Sequence, residues 1–207
     1  IELNKTVRSR FVRLLLTESE SGAPYQLSEM EIYGKGGLVP RPHQPLAESD
    51  NRQFLSGGNW KLQRASQVNG SGEAISKIGY SDSDWIPATV PGTVLTSYMN
   101  IGAIPNPNFA DNQLQISESY FLSDFWYRNE FTVTNPEDYV FLNFDGINWK
   151  ANIFLNGKNI GNIDGAFMRG KFDVSKLIVK GKNVIAVQIV KNAHPGAIKE
   201  QTAYSTD

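Results

Sequence analysis

Apolar and polar positions alternate most clearly over residues 139–161, YVFLNFDGINWKANIFLNGKNIG. Val140, Leu142 and Phe144 fall on one face of an extended segment, and after a turn Trp149, Ala151, Ile153 and Leu155 do the same. A period of two predicts half-buried strands, because successive side chains of a strand point to opposite sides. Asn156-Gly157 sits between two such runs and predicts a two-residue hairpin, since both positions tolerate positive φ. The same reading predicts strands in RNEFTVT (128–134), KFDVS (171–175) and NVIAVQIV (183–190), the last preceded by the turn Lys180-Gly181-Lys182. Helical pattern is confined to a turn or two around GTVLTSYMNIG (92–102). Many short strands separated by turns predict an all-β fold, a β-sandwich or jelly roll.

Upstream, FVRLLL (11–16) and LSEMEIY (27–33) read as two strands joined by a polar turn with Gly22 and Pro24. Two strands alone are marginal in water, so this piece must dock elsewhere or belong to a larger module. The stretch that follows, GKGGLVPRPHQPLAESDN (34–51), is dense in Gly and Pro without periodicity and reads as a linker. The expected organisation is therefore a small β piece over 1–36, a linker over 37–52 and a β domain over 53–207.

Between about Thr96 and Tyr120 no strand pattern occurs, and loops of that length in compact domains are usually functional or disordered. Pro105 and Pro107 stiffen this one, and Ile101, Ile104, Phe109, Leu114 and Ile116 supply apolar anchors that predict order. Asn106, Asn108, Asp111, Asn112 and Gln113 then present fixed donors and acceptors, which suit sugar hydroxyls. The same residue types also cap turns and satisfy backbone groups, and the pattern alone does not separate the two roles. Trp126 and Tyr127 beside Arg128 offer a stacking platform, although alternation turns one of them inward. Trp60 and Trp149 read as core, and Trp85 as the start of an extended segment packed under the loop.

Composition narrows the chemistry. With 20 Lys+Arg against 21 Asp+Glu and no basic run, nucleic acid is not an expected partner. No apolar stretch is long enough to span a bilayer, so no membrane partner is expected either. Cysteine is absent, which excludes disulfides, thiolate metal sites and a cysteine nucleophile. The two histidines, His43 and His194, stand in turn-like sequence, so neither a serine triad nor a histidine-rich metal site is expected, and no cofactor is implied.

The ordered series WIPATVPGTVLTSYMNIGAIPNPNFADNQ, DFWYRNEF, FDGINWKANIFLNGKNIG, GAFMRGKFDV and NVIAVQI strongly resembles the N-terminal sugar-binding domain of glycoside hydrolase family 2, over roughly residues 54–192. Within that family it looks most like the exo-β-glucosaminidase and β-mannosidase branch. Residues 7–34 look like the closing strands of a discoidin-like (F5/8 type C) carbohydrate-binding module. The resemblance implies a jelly-roll, galactose-binding-domain-like fold in front of a (β/α)8 catalytic barrel. It further implies a carbohydrate partner, the non-reducing end of a β-glycoside, contacted by Asp111 and Asn112 from the loop, by Asp164 ahead of the FDV strand, and by the ring of Trp126. Export to the periplasm or outside is implied in the same way.

Retaining hydrolysis in such enzymes uses two carboxylates about 5–5.5 Å apart. They stand on barrel strands, and a (β/α)8 barrel takes about 250 residues by itself, so no residue of this chain is expected to be catalytic. The chain reads as one part of a larger glycosidase, inactive alone. A freestanding carbohydrate-binding or adhesion module, and a spacer that only packs against a barrel, are the competing expectations.

Overall fold

The computed structural model describes residues 52–57 and 59–191. The expected strands at 11–16 and 27–33, the discoidin-like segment, the linker and both histidines lie outside the described residues.

Among the described residues eight strands are paired antiparallel throughout: β1 Lys61–Arg64, β2 Ile86–Pro87, β3 Phe125–Val133, β4 Phe141–Phe144, β5 Lys150–Leu155, β6 Lys158–Asp164, β7 Gly170–Asp173 and β8 Gly181–Val190. Six form one sheet in the order β2-β1-β3-β8-β5-β6, and β4 pairs with β7 in a second. The spine is the β3–β8 ladder, which runs in register from Phe125↔Ile189 to Val133↔Gly181. This is the all-β sandwich anticipated from the alternation, with two short helices, α1 Gly72–Ile75 and α2 Val94–Asn100, added outside it.

Alternation sorts the side chains into two cores. Ala151, Ile153 and Leu155 of β5 and Ile185 and Val187 of β8 face the second sheet, where Leu142, Phe144, Phe172 and Val174 meet them. The opposite face carries Trp126, Phe154 and Ala186, and these are covered by Ile75 and Trp85 from the segment between β1 and β2. The large sheet is thus buried on both sides, which explains why Val184, Ile185, Ala186 and Val187 are consecutive, apolar and all buried. At Asn156-Gly157 the hairpin forms as the dipeptide predicts, with φ of 48° and 81°. The Asn156 side chain adds a lock, its amide donating to Leu177 O (2.8 Å) and Asn183 Oδ1 (2.7 Å) while its oxygen accepts from Val184 N (2.9 Å).

Three readings are corrected. Trp149 precedes β5 and is only half-buried, whereas Trp60 is core as expected. Trp85 is buried in the outer core beside Trp126, not under the long loop. The helix α1 had no sequence signal beyond Gly72-Glu73-Ala74-Ile75; it forms because Gly72 lets the backbone lie against the Phe154 ring, where a Cβ would collide.

What pins this outer segment to the sheet is Arg128, on β3 and only 2% exposed. Its guanidinium donates to Ile75 O (3.0 Å), Lys77 O (3.2 Å) and Glu130 Oε1 (2.6 Å), and it pairs with the Asp82 carboxylate. Lys61 on β1 reaches the other oxygen of Asp82 at 2.5 Å. Buried charge is tolerated only when paired and fully hydrogen-bonded, and here two carbonyls and two carboxylates accept from the guanidinium, with the Tyr80 ring 5.9 Å away. Replacing Arg128 by Ala is expected to cost about 3–5 kcal/mol of unfolding free energy, read from the urea midpoint. A loss below about 1 kcal/mol would refute this account of how the segment is held.

Candidate functional site

The long loop leaves the sheet through α2 and returns at the first residue of β3. Thr93 caps α2, its hydroxyl accepting from Thr96 N at 3.0 Å. Ser97, fully buried, donates to Thr93 O (3.0 Å) and accepts from Thr89 N (3.1 Å). Both roots of the loop then meet in an aromatic cluster: Tyr98 stands edge-on to Tyr120 (5.2 Å) and Phe125 (6.4 Å), and the Arg64 guanidinium lies 5.5 Å from the Tyr120 ring.

The loop is ordered for a different reason than its apolar residues suggest. Of the five expected anchors only Ile104 is buried; Phe109 is 69% and Leu114 80% exposed, Ile101 is also exposed and Ile116 half-buried. The tip is braced by turns instead. Asn106 Oδ1 accepts from Asn108 N (3.0 Å), Asn106 O accepts from the Asn112 amide (3.0 Å), and Asp111 O accepts from Leu114 N (2.9 Å), opening a 3₁₀ turn over Asn112–Gln115. A second 3₁₀ turn spans Glu118–Tyr120. Asx chemistry holds the tip, and its apolar side chains face outward.

The four sequence-expected contacts fare differently. Asp111 is exposed and its carboxylate makes no capping hydrogen bond to the turn that it precedes. Asn112 is half-buried, and its amide is spent on the Asn106 carbonyl. Asp164 ends β6 in register with Lys150, whose ammonium holds its carboxylate at 3.0 Å in an exposed pair. Trp126 is corrected: at 6% exposure it packs on Phe154 (5.7 Å between centroids) in the outer core, so it offers no open face. Alternation had left Trp126 or Tyr127 to turn inward; the outer layer over 72–85 is why the Trp126 side is also closed.

A cleft of about 410 Å³ opens at this end of the sheet, where β3 and β5 begin and β8 ends. Val94 and Phe121, at the two roots of the loop, line it together with Ala166, two residues past Asp164. Phe125 and Ile189 lie beneath, and Ser123, Asn148, Trp149 and Lys191 supply the polar atoms. None of Asp111, Asn112, Asp164 or Trp126 is among its lining residues. Sequence reasoning missed the four polar ones because each sits where a strand starts or stops; alternation placed Trp149 on the core face, and nothing along the chain marked the other three.

At the other end of the small sheet, a groove is lined by Asp138, Tyr139, Asp173, Ser175, Lys176 and Leu177. The Asp173 carboxylate accepts from the Ser175 hydroxyl (2.5 Å) and backbone N–H (3.0 Å), which hold its pKa below the usual carboxylate range. A glycosidic general acid needs the opposite shift. Among the described residues no cluster of His, Asp and Glu suits a metal ion.

The fold and sequence are matched in part by known proteins. A family profile described as glycosyl hydrolase 2 galactose-binding domain-like covers residues 60–205. The chain belongs to this family. Among similar family members, an exo-β-D-glucosaminidase of Streptomyces avermitilis is 31% identical over 156 residues, which is 74% of this chain and 17% of the relative. A mannosylglycoprotein endo-β-mannosidase of Lilium longiflorum is 29% identical over 75% of this chain and 17% of its own length. In three dimensions, the exo-chitosanase of Amycolatopsis orientalis superposes with a TM-score of 0.60 at 26% identity, covering 64% of this chain and 16% of that one. A β-D-mannosidase from Dictyoglomus thermophilum gives 0.51 at 30% identity, over 63% and 14%. This galactose-binding-like domain therefore spans about one-sixth of the relatives that it matches.

In this family member the loop root is also a titrating site. Tyr127 of β3 is half-buried, and burial pushes its phenol up to about 12, with the Ser97 hydroxyl on α2 opposing the shift to a smaller extent. A phenol raised on folding favours the folded state while it stays neutral. Its contribution is complete below the ordinary tyrosine value near 10 and disappears as pH climbs from there to about 12. Tyr127→Phe is expected to flatten the loss of stability across that alkaline window by about 2–3 kcal/mol, measured as urea midpoints against pH; parallel curves for both proteins would contradict it.

Proposed function

We propose that the chain is a non-catalytic carbohydrate-binding domain of a retaining exo-β-glycosidase that acts on glucosaminides, mannosides or galactosides. Its loop leans over a (β/α)8 catalytic domain and completes the pocket for the non-reducing-end sugar. Residues 53–207 form this domain, preceded by a linker over 37–52 and the closing strands of a discoidin-like module over 1–36. The observation that carries the reading is the loop tip: rigid by its own hydrogen bonds, yet presenting the free Asp111 carboxylate and the exposed side chains of Phe109 and Leu114. Apolar side chains held outward at such cost to solvation suit a surface that another domain covers.

Asp111 then accepts from a substrate hydroxyl or orders the facing loop, with Asn112 beside it. Asp164 serves the same pocket through its exposed carboxylate, with Lys150 balancing the charge. The family membership and the one-sixth coverage of glycosidase relatives support the assignment to a larger hydrolase.

Two measurements test this. The 207-residue chain alone is expected to release no nitrophenol from nitrophenyl β-glucosaminide, mannoside or galactoside; turnover that co-purifies with the polypeptide would end the proposal. In the parent enzyme, Asp111→Ala is expected to lower kcat/KM by about 10–100-fold, the worth of a hydrogen bond to a charged group, at unchanged melting temperature. Unchanged kcat/KM would reduce the domain to a packing spacer.

A further inference from the structure

The outward face of the small sheet departs from the pattern that alternation sets elsewhere. Val140, Leu142 and Phe144 of the β4 segment and Phe172 and Val174 of the β7 segment pack in the core. Residues 139, 141 and 143, and their neighbours 171 and 173, therefore point the other way. An antiparallel sheet with one solvated face carries polar residues there. Here that face bears Tyr139, 79% exposed, and Phe141, 45% exposed. Asn143, Lys171 and Asp173 stand exposed beside them.

Register fixes the order of these groups. Phe141 is opposite Asp173 and Asn143 opposite Lys171. The pairing reaches one residue further, where Val140 O accepts from Val174 N at 2.9 Å, and Tyr139 and Asp173 line one groove of about 520 Å³. The Lys171 ammonium lies 4.4 Å from the Phe141 centroid, which holds it over the sheet as a donor and leaves Tyr139 as the open ring. One oxygen of the Asp173 carboxylate accepts from the Ser175 hydroxyl and amide. The other has no partner among the described residues. From Tyr139 to Asn143 the strip measures about 13 Å at the rise of a strand.

We propose that this strip binds a β-linked, gluco-configured oligosaccharide of two or three rings. One ring lays its C–H face on Tyr139, a hydroxyl of the next donates to Asp173, and Lys171 and the Asn143 amide donate to hydroxyl oxygens further along. Equatorial substituents leave the faces of such a ring apolar, which suits an open phenol ring. A hydroxyl both gives and takes hydrogen bonds, and the strip sets an acceptor beside donors. Asp138 and Asp173 are balanced by Lys171 and Lys176, so the local field selects a neutral ligand. Two short strands give a face of about 13 by 10 Å, far below the roughly 800 Å² per partner of a stable protein interface. This rests on the reading of the domain as carbohydrate-binding and adds to it a site that uses none of Asp111, Asn112 or Asp164.

The ¹⁵N-labelled 207-residue chain is titrated with cellotriose, maltotriose and methyl β-glucopyranoside. Cellotriose is expected to move the backbone amides of Asn143, Lys171 and Asp173 with a dissociation constant of about 0.1–1 mM. Maltotriose, whose α-linkages bend it off a flat strip, and the monosaccharide bind about tenfold more weakly. Tyr139→Ala weakens cellotriose binding about 3–10-fold and Tyr139→Phe retains it. Lys171→Met, which keeps an apolar stem on Phe141, weakens binding about 3–10-fold. These side chains are exposed, so amides away from the strip keep their native positions.

Unmoved amides, equal affinity for maltotriose, or an unaltered dissociation constant in Tyr139→Ala or Lys171→Met overturns the proposal. So does a dimer in sedimentation that Tyr139→Ala abolishes, since a second copy would then cover this face. Asp111→Ala leaves this binding unchanged, so a failed strip with an intact loop effect on kcat/KM, and the converse, remain distinct results.

Discussion

Arg128 is the interaction on which the remaining architecture depends. It occupies the middle of β3, the strand that joins the small β1–β2 corner to the long β8. From there it gathers acceptors from Ile75, Lys77, Asp82 and Glu130, that is, from an outer segment and from its own strand. A cation in that position excludes water from its surroundings only if each N–H finds an acceptor. Ile75, Lys77 and Asp82 of the outer segment are thereby tied to β3. That fixed layer is what buries Trp85, Trp126 and Phe154.

Burial of the large sheet on both faces leaves its ends as the places where side chains are free to do chemistry. At one end, β3 and β5 begin and β6 and β8 finish, so four connections converge there. The long loop roots itself in this end through Tyr98, Tyr120 and Phe125, and the β6–β7 turn closes it from the other side. A rigid sandwich that positions variable loops is a common way to separate stability from recognition. Here the division is spatial: Arg128 and the two cores stabilise, while the loop tip and the cleft carry unspent donors, acceptors and apolar surface.

The loop also illustrates how order and burial come apart. A tip with Phe109 and Leu114 in the open would collapse or fray if hydrophobic contact were its support. Hydrogen bonds that involve Asn106, Asn112 and the backbone of Asp111 supply the rigidity instead. Side chains facing outward are then left available to another surface.

Period-two alternation, Asn156-Gly157 and the absence of cysteine and of long apolar runs determined the all-β sandwich, its central hairpin and the classes of chemistry excluded, because these are local properties of strands and turns. The motif series likewise carried the family. Which of Trp85, Trp126 and Trp149 is core was decided by tertiary structure alone, since alternation assigns faces but not what covers them. The outer layer over 72–85 closed the face that Trp126 shares with Arg128, and the irregular entry into β5 left Trp149 at a cleft. The same holds for the burial of Arg128: its acceptors on Ile75 and Lys77 are about 50 positions away, and contacts at that separation leave no pattern along the chain.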